Sequence, residues 1–380
     1  MVEHVLLCFE VHQPKRLART RVFDKSVSFW SEEDRRILDR VSKRCYTQAN
    51  KLLYETQELK AGLSISGVLL EQLMEQARWD VIEGFRKLFS TGRFEPIAET
   101  YYHSLASLVD TSELFEQVGM QRELIKRLFD TTPTCFTNTE LIFSRSVARK
   151  VRELGFKATF AEGCAALLGN KSPNEVYTVD GVKVFTRNNS LSDDIGFRFS
   201  DRSWSEYPLS AEKWARWIAK SQGSLLTVYI DYETFGEHHD ASSGIFEFLA
   251  RVGKELNANG VELLTPSEAA CLESKDSLLA ESFTSWADVE KDLSAWLGNS
   301  IQKHAFQEIY SLEEAVKNQA DPEILRTWRV LTESDHLYYC STKKAASGEV
   351  HLYFNPYKSP YIAYINLVNA VSIIARELGF

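Results

Sequence analysis

Several residues able to carry a proton or a charge stand directly behind short apolar runs. His12 follows Val5–Val11, Glu99 follows Phe94–Ala98, and Asp231 follows Leu225–Ile230. Glu140 comes just after Thr134–Thr137, and Glu162, a weaker instance, follows Ala158–Ala161. One polar residue at a strand end says little, because strand ends are often followed by helix caps. Four together point to a site, since barrels and open α/β sheets carry their chemistry where strands run out into loops. Two facing carboxylates suit cleavage of a glycosidic bond. One attacks the anomeric carbon while the other, kept protonated, donates to the leaving oxygen, and in the retaining geometry they stand roughly 5–5.5 Å apart. Glu140 and Asp231 are the candidate pair, with a separation along the chain compatible with strands on opposite sides of a barrel mouth. Tyr101, Tyr102, Tyr232, Phe235, Trp286 and Trp296 lie near these motifs. Such rings stack on the C–H faces of sugars, although Phe235 and Tyr102 taken singly read as core packing.

Two other classes of function fit parts of the pattern. His12, Asp231, His238 and His239 could supply metal ligands, but His238 and His239 are adjacent, point differently and lack an HxH or HExxH spacing. A glucan-binding or regulatory protein on an enzyme-like fold is the non-catalytic alternative.

The elements that must position these residues alternate. The runs above, with Leu63–Ser66, Val182–Thr186 and Val261–Leu264, read as strands. Between them, helices are predicted within Asp34–Lys60 and over Leu69–Phe89, Ser112–Phe129, Ser146–Leu154, Ala211–Lys220 and Gly244–Leu256. Leu191–Asp194 reads as a polar loop. Strands alternating with helices argue for βα units and a largely parallel sheet, and seven or eight strands in this length favour a closed barrel over an open sheet. Beyond Glu273–Ser277 the pattern changes, and Glu281–Gln302, Ile309–Asn318, Pro322–Leu331 and Tyr361–Leu378 all read as helices. The expected division is a catalytic barrel over residues 1–272 and a helical domain over 273–380.

The 380 residues, 44% hydrophobic and 12% aromatic, suffice for a dense core and exclude a disordered chain. A net charge of −9 with no Lys/Arg stripe argues against nucleic acid and for a neutral substrate. The six scattered cysteines, without CxxC pairing, read as reduced thiols of a cytoplasmic protein. Neither a signal peptide nor a membrane span is expected, nor is a cofactor.

In order along the chain stand Val11-His12-Gln13-Pro14, Ile97-Ala98-Glu99-Thr100-Tyr101-Tyr102-His103-Ser104-Leu105, Asn138-Thr139-Glu140-Leu141-Ile142, and Asp231-Tyr232-Glu233-Thr234-Phe235-Gly236-Glu237-His238. Ser285-Trp286-Ala287-Asp288 and Leu293-Ser294-Ala295-Trp296-Leu297-Gly298-Asn299 follow in the helical part. With these motifs the sequence resembles glycoside hydrolase family 57, and within it the α-amylase-like group, over nearly its whole length. The resemblance implies a (β/α)7 barrel, an incomplete TIM-like barrel, followed by a C-terminal helical bundle beside the active site. It further implies a retaining mechanism on an α-glucan, with Glu140 as nucleophile and Asp231 as general acid/base. It places His12, Glu99, His103, His238, Trp286, Asp288 and Trp296 against the sugar. The same catalytic pair would serve an α-amylase, a 4-α-glucanotransferase or a branching enzyme. The chain departs from many relatives at Glu10, where they carry a second histidine or a glutamine, and at Thr137, where they carry a bulky or basic residue. It keeps both carboxylates.

Overall fold

The computed structural model describes residues 1–29, 32–318 and 321–380. Among these described residues ten strands are formed: β1 (His4–Val11), β2 (Ala61–Ile65), β3 (Phe94–Ile97), β4 (Cys135–Phe136), β5 (Ala158–Glu162), β6 (Val176–Val179), β7 (Val182–Arg187), β8 (Leu225–Asp231), β9 (Glu262–Leu264) and β10 (Asp276–Ser277). Seven of them run parallel in the order β3-β2-β1-β8-β7-β5-β4. A parallel bridge between Ala98 and Phe136 joins β3 to β4 and closes the ring. This is the expected seven-stranded (β/α) barrel. The β7–β8 seam is also thin, with Arg187 opposite Thr227 as its ladder pair. β9 adds to the lower half of β1, while β6 folds back antiparallel on β7 and carries β10.

Strand side chains alternate between faces, and this alternation builds the site. On β1, Val5, Leu7, Phe9 and Val11 face the surrounding helices, while Leu6 and Cys8 fill the barrel interior. On β8, Leu226, Val228 and Ile230 face outward, and Leu225 and Tyr229 inward. Continuing each inward row by two residues leads to Glu10 and Asp231, which lie opposite each other in register. Phe160 and Phe185 likewise precede Glu162 and Arg187, again in register. An apolar barrel plug is thus topped by a layer of charge.

The helical part packs around its own core, which includes Trp296, Ile309, Trp328, Leu367 and Ile374. Several sequence expectations are corrected. Glu281–Gln302 is not one helix: helix begins only at Ser294–Leu297 and again at Ser300–Ser311. Ahead of these, Asp288 and Lys291 adopt left-handed backbone angles, Thr284 bridges to Phe143, and the Trp286 amide bonds the Glu140 carbonyl. The segment's backbone hydrogen bonds go to the barrel instead of along a helix. Leu69–Phe89 is two helices, Gly67–Glu75 and Trp79–Ser90. Ala77, left-handed at φ 53°, ends the first, and Arg78 N–H reaches back to the Leu73 carbonyl, a helix stop usually marked by glycine. Leu191–Asp194 lies within a helix, Asn189–Gly196, because the Asn188 side chain caps the Leu191 amide. β6 and the helices Ser334–Tyr338 and Ala345–Phe354 went unrecognised in the sequence. The six cysteines are free thiols, and among the described residues no helix is long and apolar enough to cross a membrane.

Candidate active site

Glu140 stands in a tight turn after β4. Its backbone is left-handed (φ 58°, ψ 27°), a conformation costing a non-glycine residue on the order of 1–3 kcal/mol. The surrounding side chains hold it there. Asn138 donates to the Ile142 carbonyl and to the Ser107 hydroxyl, both at 2.8 Å, and the Thr139 hydroxyl donates to the Ser104 carbonyl at 2.8 Å. The Glu140 carboxylate accepts from the Trp286 indole N–H at 2.5 Å and lies 3.4 Å from His103 Nε2. Trp286 is itself set edge-on against Tyr229, with the Arg187 guanidinium over its ring.

Asp231 ends β8. In the seven-membered ring, β4 and β8 are separated by two strands on one side and three on the other, so Glu140 and Asp231 come from opposite walls. Burial raises the Asp231 carboxyl above the usual range and the charge of Glu140 raises it further, against the opposing pull of His238, Arg187 and His103. A carboxyl shifted this way holds its proton to higher pH than a free one, as a general acid requires.

His103 is the hub between them. Its Nδ1 lies 3.1 Å from Glu99, and its Nε2 lies 3.2 Å from Glu10 and 3.4 Å from Glu140. Burial opposes protonation of this ring, but Glu10, Glu140 and Glu99 outweigh it and hold the imidazolium well above its ordinary range. Glu99 is oriented in turn by the Ser64 hydroxyl at 2.8 Å. His12 stacks on His103 at 4.1 Å and bridges Ser66 (2.8 Å) and Asp335 (3.1 Å). Burial and the neighbouring His103 charge lower the His12 imidazole below its ordinary range, against the opposing pull of Asp335 and Glu99.

The structure thus gathers Glu140, Asp231, His12, Glu99, His103 and Trp286. His238 is exposed, with its ring 6.3 Å from Phe354 and its charge felt by Asp231. Asp288 is committed to an ion pair with Lys343 (2.7 Å) and a hydrogen bond with His351 Nε2 (2.9 Å), which tie the Trp286 loop to the helical part. Trp296 has no exposure and lies in the helical core, its ring 6.4 Å from that of Tyr338. Tyr102, Tyr232 and Phe235 are buried, the latter two in the core outside the barrel. Glu162 is a buried partner of Arg187, at 3.2 Å.

The proposed ligands His12, Asp231, His238 and His239 do not converge. His239 turns to Ser200 and the Ile195 carbonyl. Among the described residues, the clusters with metal-ligand spacing are Glu10/Glu99/His103 and His12/Glu333/Asp335, neither of which contains Asp231, His238 or His239.

Residues that sequence reasoning did not single out also face the site. Arg187, Asp335 and Tyr338 are among them, and Tyr338 feels the charges of Asp288, Glu140, Asp335 and Asp231. Arg187 was legible as the inward continuation of β7, whereas Asp335 and Tyr338 sit on a five-residue helix with no periodic signal.

Behind Asp231, the buried Glu233 accepts from the Tyr46 hydroxyl, and burial raises its carboxyl to about 8. The native state therefore keeps a proton that the unfolded chain releases near the ordinary carboxylate range. Stability should fall as pH rises from about 4.5 to about 8. Glu233→Gln removes this term. Its stability relative to wild type, read by urea unfolding, should grow across that window by on the order of a few kcal/mol. A difference independent of pH would refute the assignment.

Comparison with known proteins agrees with this architecture. The sequence profile of glycosyl hydrolase family 57 matches residues 6–280. A protein of Methanocaldococcus jannaschii, provisionally named an alpha-amylase, is 39% identical over 95% of this chain and 82% of its own length. The fold resembles a family 57 branching enzyme of Thermococcus kodakaraensis (TM-score 0.69, 14% identity, 94% of this chain and 89% of that one). It also resembles the 4-alpha-glucanotransferase of Thermococcus litoralis (TM-score 0.68, 17% identity), covering 89% of this chain but 56% of that enzyme's length. The chain belongs to glycosyl hydrolase family 57 and is an enzyme of the glycosidase type.

Proposed function

We propose that the protein is a retaining α-amylase that cleaves α-1,4-glucosidic bonds of starch, glycogen or maltooligosaccharides. Residues 1–272 form the catalytic barrel and residues 273–380 the helical domain lining its cleft. Glu140 attacks the anomeric carbon from one face, the bond to the leaving oxygen breaks, and a glycosyl-enzyme forms. Asp231 gives its proton to that oxygen, then takes one from the incoming water, whose attack releases Glu140. His12, Glu99 and His103 hold the sugar at the cleavage point and Trp286 lines it. One observation carries this reading above the others. Asp231 at the end of β8 and Glu140 beyond β4, the latter bonded to the Trp286 indole N–H, come from opposite walls of the barrel.

The test is product analysis on purified maltooligosaccharides, with the anomeric form of the newly released sugar followed by proton NMR. Shorter chains released first as the α-anomer are expected. Products longer than the substrate would replace hydrolysis by transfer to a sugar hydroxyl. Release of the β-anomer would overturn the retaining mechanism.

A further inference from the structure

The helical part meets the barrel mouth through a row of side chains that runs outward from the sugar-holding cluster. Asp335 lies 3.1 Å from His12, and Tyr338, one turn further along the same helix, stacks on His351 at 3.7 Å. His351 belongs to the helix Ala345–Phe354, and its Nε2 lies 2.9 Å from Asp288 in the Trp286 loop. Phe354, one turn beyond His351 on the same helix face, sets its ring 6.3 Å from that of His238. His238, exposed, stands on the loop that leaves β8 behind Asp231. Tyr353 meets Phe354 edge-on at 5.0 Å. These two rings are open to solvent, Tyr353 at 68% and Phe354 at 42%, whereas His351 is buried. Their helix is fixed at both ends. Lys343 pairs with Asp288 at 2.7 Å ahead of it, and Asn355 behind it donates to the Tyr339 carbonyl at 2.9 Å. Large rings held rigidly in solvent beside a cleft are the mark of a binding surface.

Resting on the glycosidase mechanism above, we propose that Phe354 and Tyr353 form an aromatic platform for the glucose units on the leaving side of the scissile bond, with His238 bonding their hydroxyls. The side follows from the mechanism. Asp231 protonates the oxygen that departs, so the sugar beyond that oxygen runs past the loop that carries Asp231 and His238, toward Phe354. The sugar kept on Glu140 lies against His12, Glu99 and His103. A glucose ring turns its C–H face to an aromatic side chain and its hydroxyls to polar groups at the edge, and an exposed imidazole can donate or accept there. Val350–Tyr357 contains no Asp, Glu, Lys or Arg, which suits an uncharged occupant. A second copy of this chain is the competing occupant, because Tyr361, Ile362 and Ile365 are also exposed on the following helix, Pro360–Glu377. The glucan is favoured because Phe354 is joined, side chain to side chain, to the loop behind Asp231 and through His351 to the Trp286 loop.

The test measures kcat/KM on maltoheptaose and on maltosyl fluoride for wild type, Phe354→Ala, Tyr353→Ala and Phe354→Trp. The bonds cut in maltoheptaose labelled at its reducing end are mapped in parallel, and molar mass is read by light scattering. Maltosyl fluoride has no sugar on the leaving side. The ratio of kcat/KM for maltoheptaose to that for maltosyl fluoride should therefore fall about ten-fold in Phe354→Ala and about three-fold in Tyr353→Ala, and Phe354→Trp should restore it. The labelled products of Phe354→Ala should shorten, because fewer glucose units are then drawn onto the leaving side. Equal losses on both substrates, or an unmoved ratio and product pattern, overturn the proposal. So does a wild-type dimer that Phe354→Ala converts to monomer, which gives this face to a second copy. Should the wild type cleave no glucan, the function proposed above fails, and calorimetry with maltoheptaose decides the platform. Affinity lowered about ten-fold in Phe354→Ala then supports it, and equal affinity, or no binding by the wild type, overturns it. Should Phe354→Ala not fold, Phe354→Leu, apolar but without a ring face, is read by the same criteria.

Discussion

Glu140→Gln is expected to lower kcat on maltooligosaccharides by about 10⁴-fold or more, because losing a nucleophile removes the covalent route altogether. Glutamine matches the volume of glutamate and keeps an oxygen to accept the Trp286 indole N–H. The turn built by Asn138 and Thr139 is untouched, so the fold should stand and KM should change little. The decisive arm uses Glu140→Ala with azide. If Glu140 is the nucleophile, azide enters the vacated space from the same face, and an α-glucan yields the glycosyl azide of inverted configuration. Wild-type rates in Glu140→Gln would dismiss the assignment.

Asp231→Asn should cost about 10²–10⁴-fold in kcat/KM on natural glucans, the usual contribution of a positioned acid. The loss should depend on the leaving group. A maltosyl fluoride needs no proton on departure, so its first step should be nearly spared, while a maltooligosaccharide should suffer the full deficit. The alkaline limb of the pH profile should disappear as well, since the residue raised by burial and by Glu140 is the one that titrates there. Equal losses on both substrates would make Asp231 a structural residue and leave the mechanism without its acid.

Both predictions concern residues the sequence displays openly, and the reason is periodicity. The run Leu225–Ile230, aliphatic, β-branched or aromatic throughout, reads as a buried strand, and a carboxylate at the next position falls at its carboxyl end. The same local rule placed His12, Glu99 and Glu140, and the alternation of strands and helices was enough to expect a closed parallel barrel. Glu10 was equally legible, being two residues beyond Cys8 on the inward row, but its chemistry was not. A carboxyl is shifted only by what surrounds it, and Glu99 with His103, Glu140 and Asp231 reach Glu10 from three separate segments.

Where tertiary contacts override local preference, sequence patterns lose their hold. Trp286 and Asp288 lie in a stretch read as helix, yet that stretch bonds to the Glu140 turn and to Lys343 and His351. Trp296, close by in a shared motif, is drawn into the helical core, and no spacing rule separates it from Trp286. The chain by itself thus determined the barrel and the residues at its strand ends, because strand and helix periods are local properties of the backbone. Only the folded molecule decided which side chains share protons, which tie loops down and which are core, because those depend on distances between segments far apart along the chain.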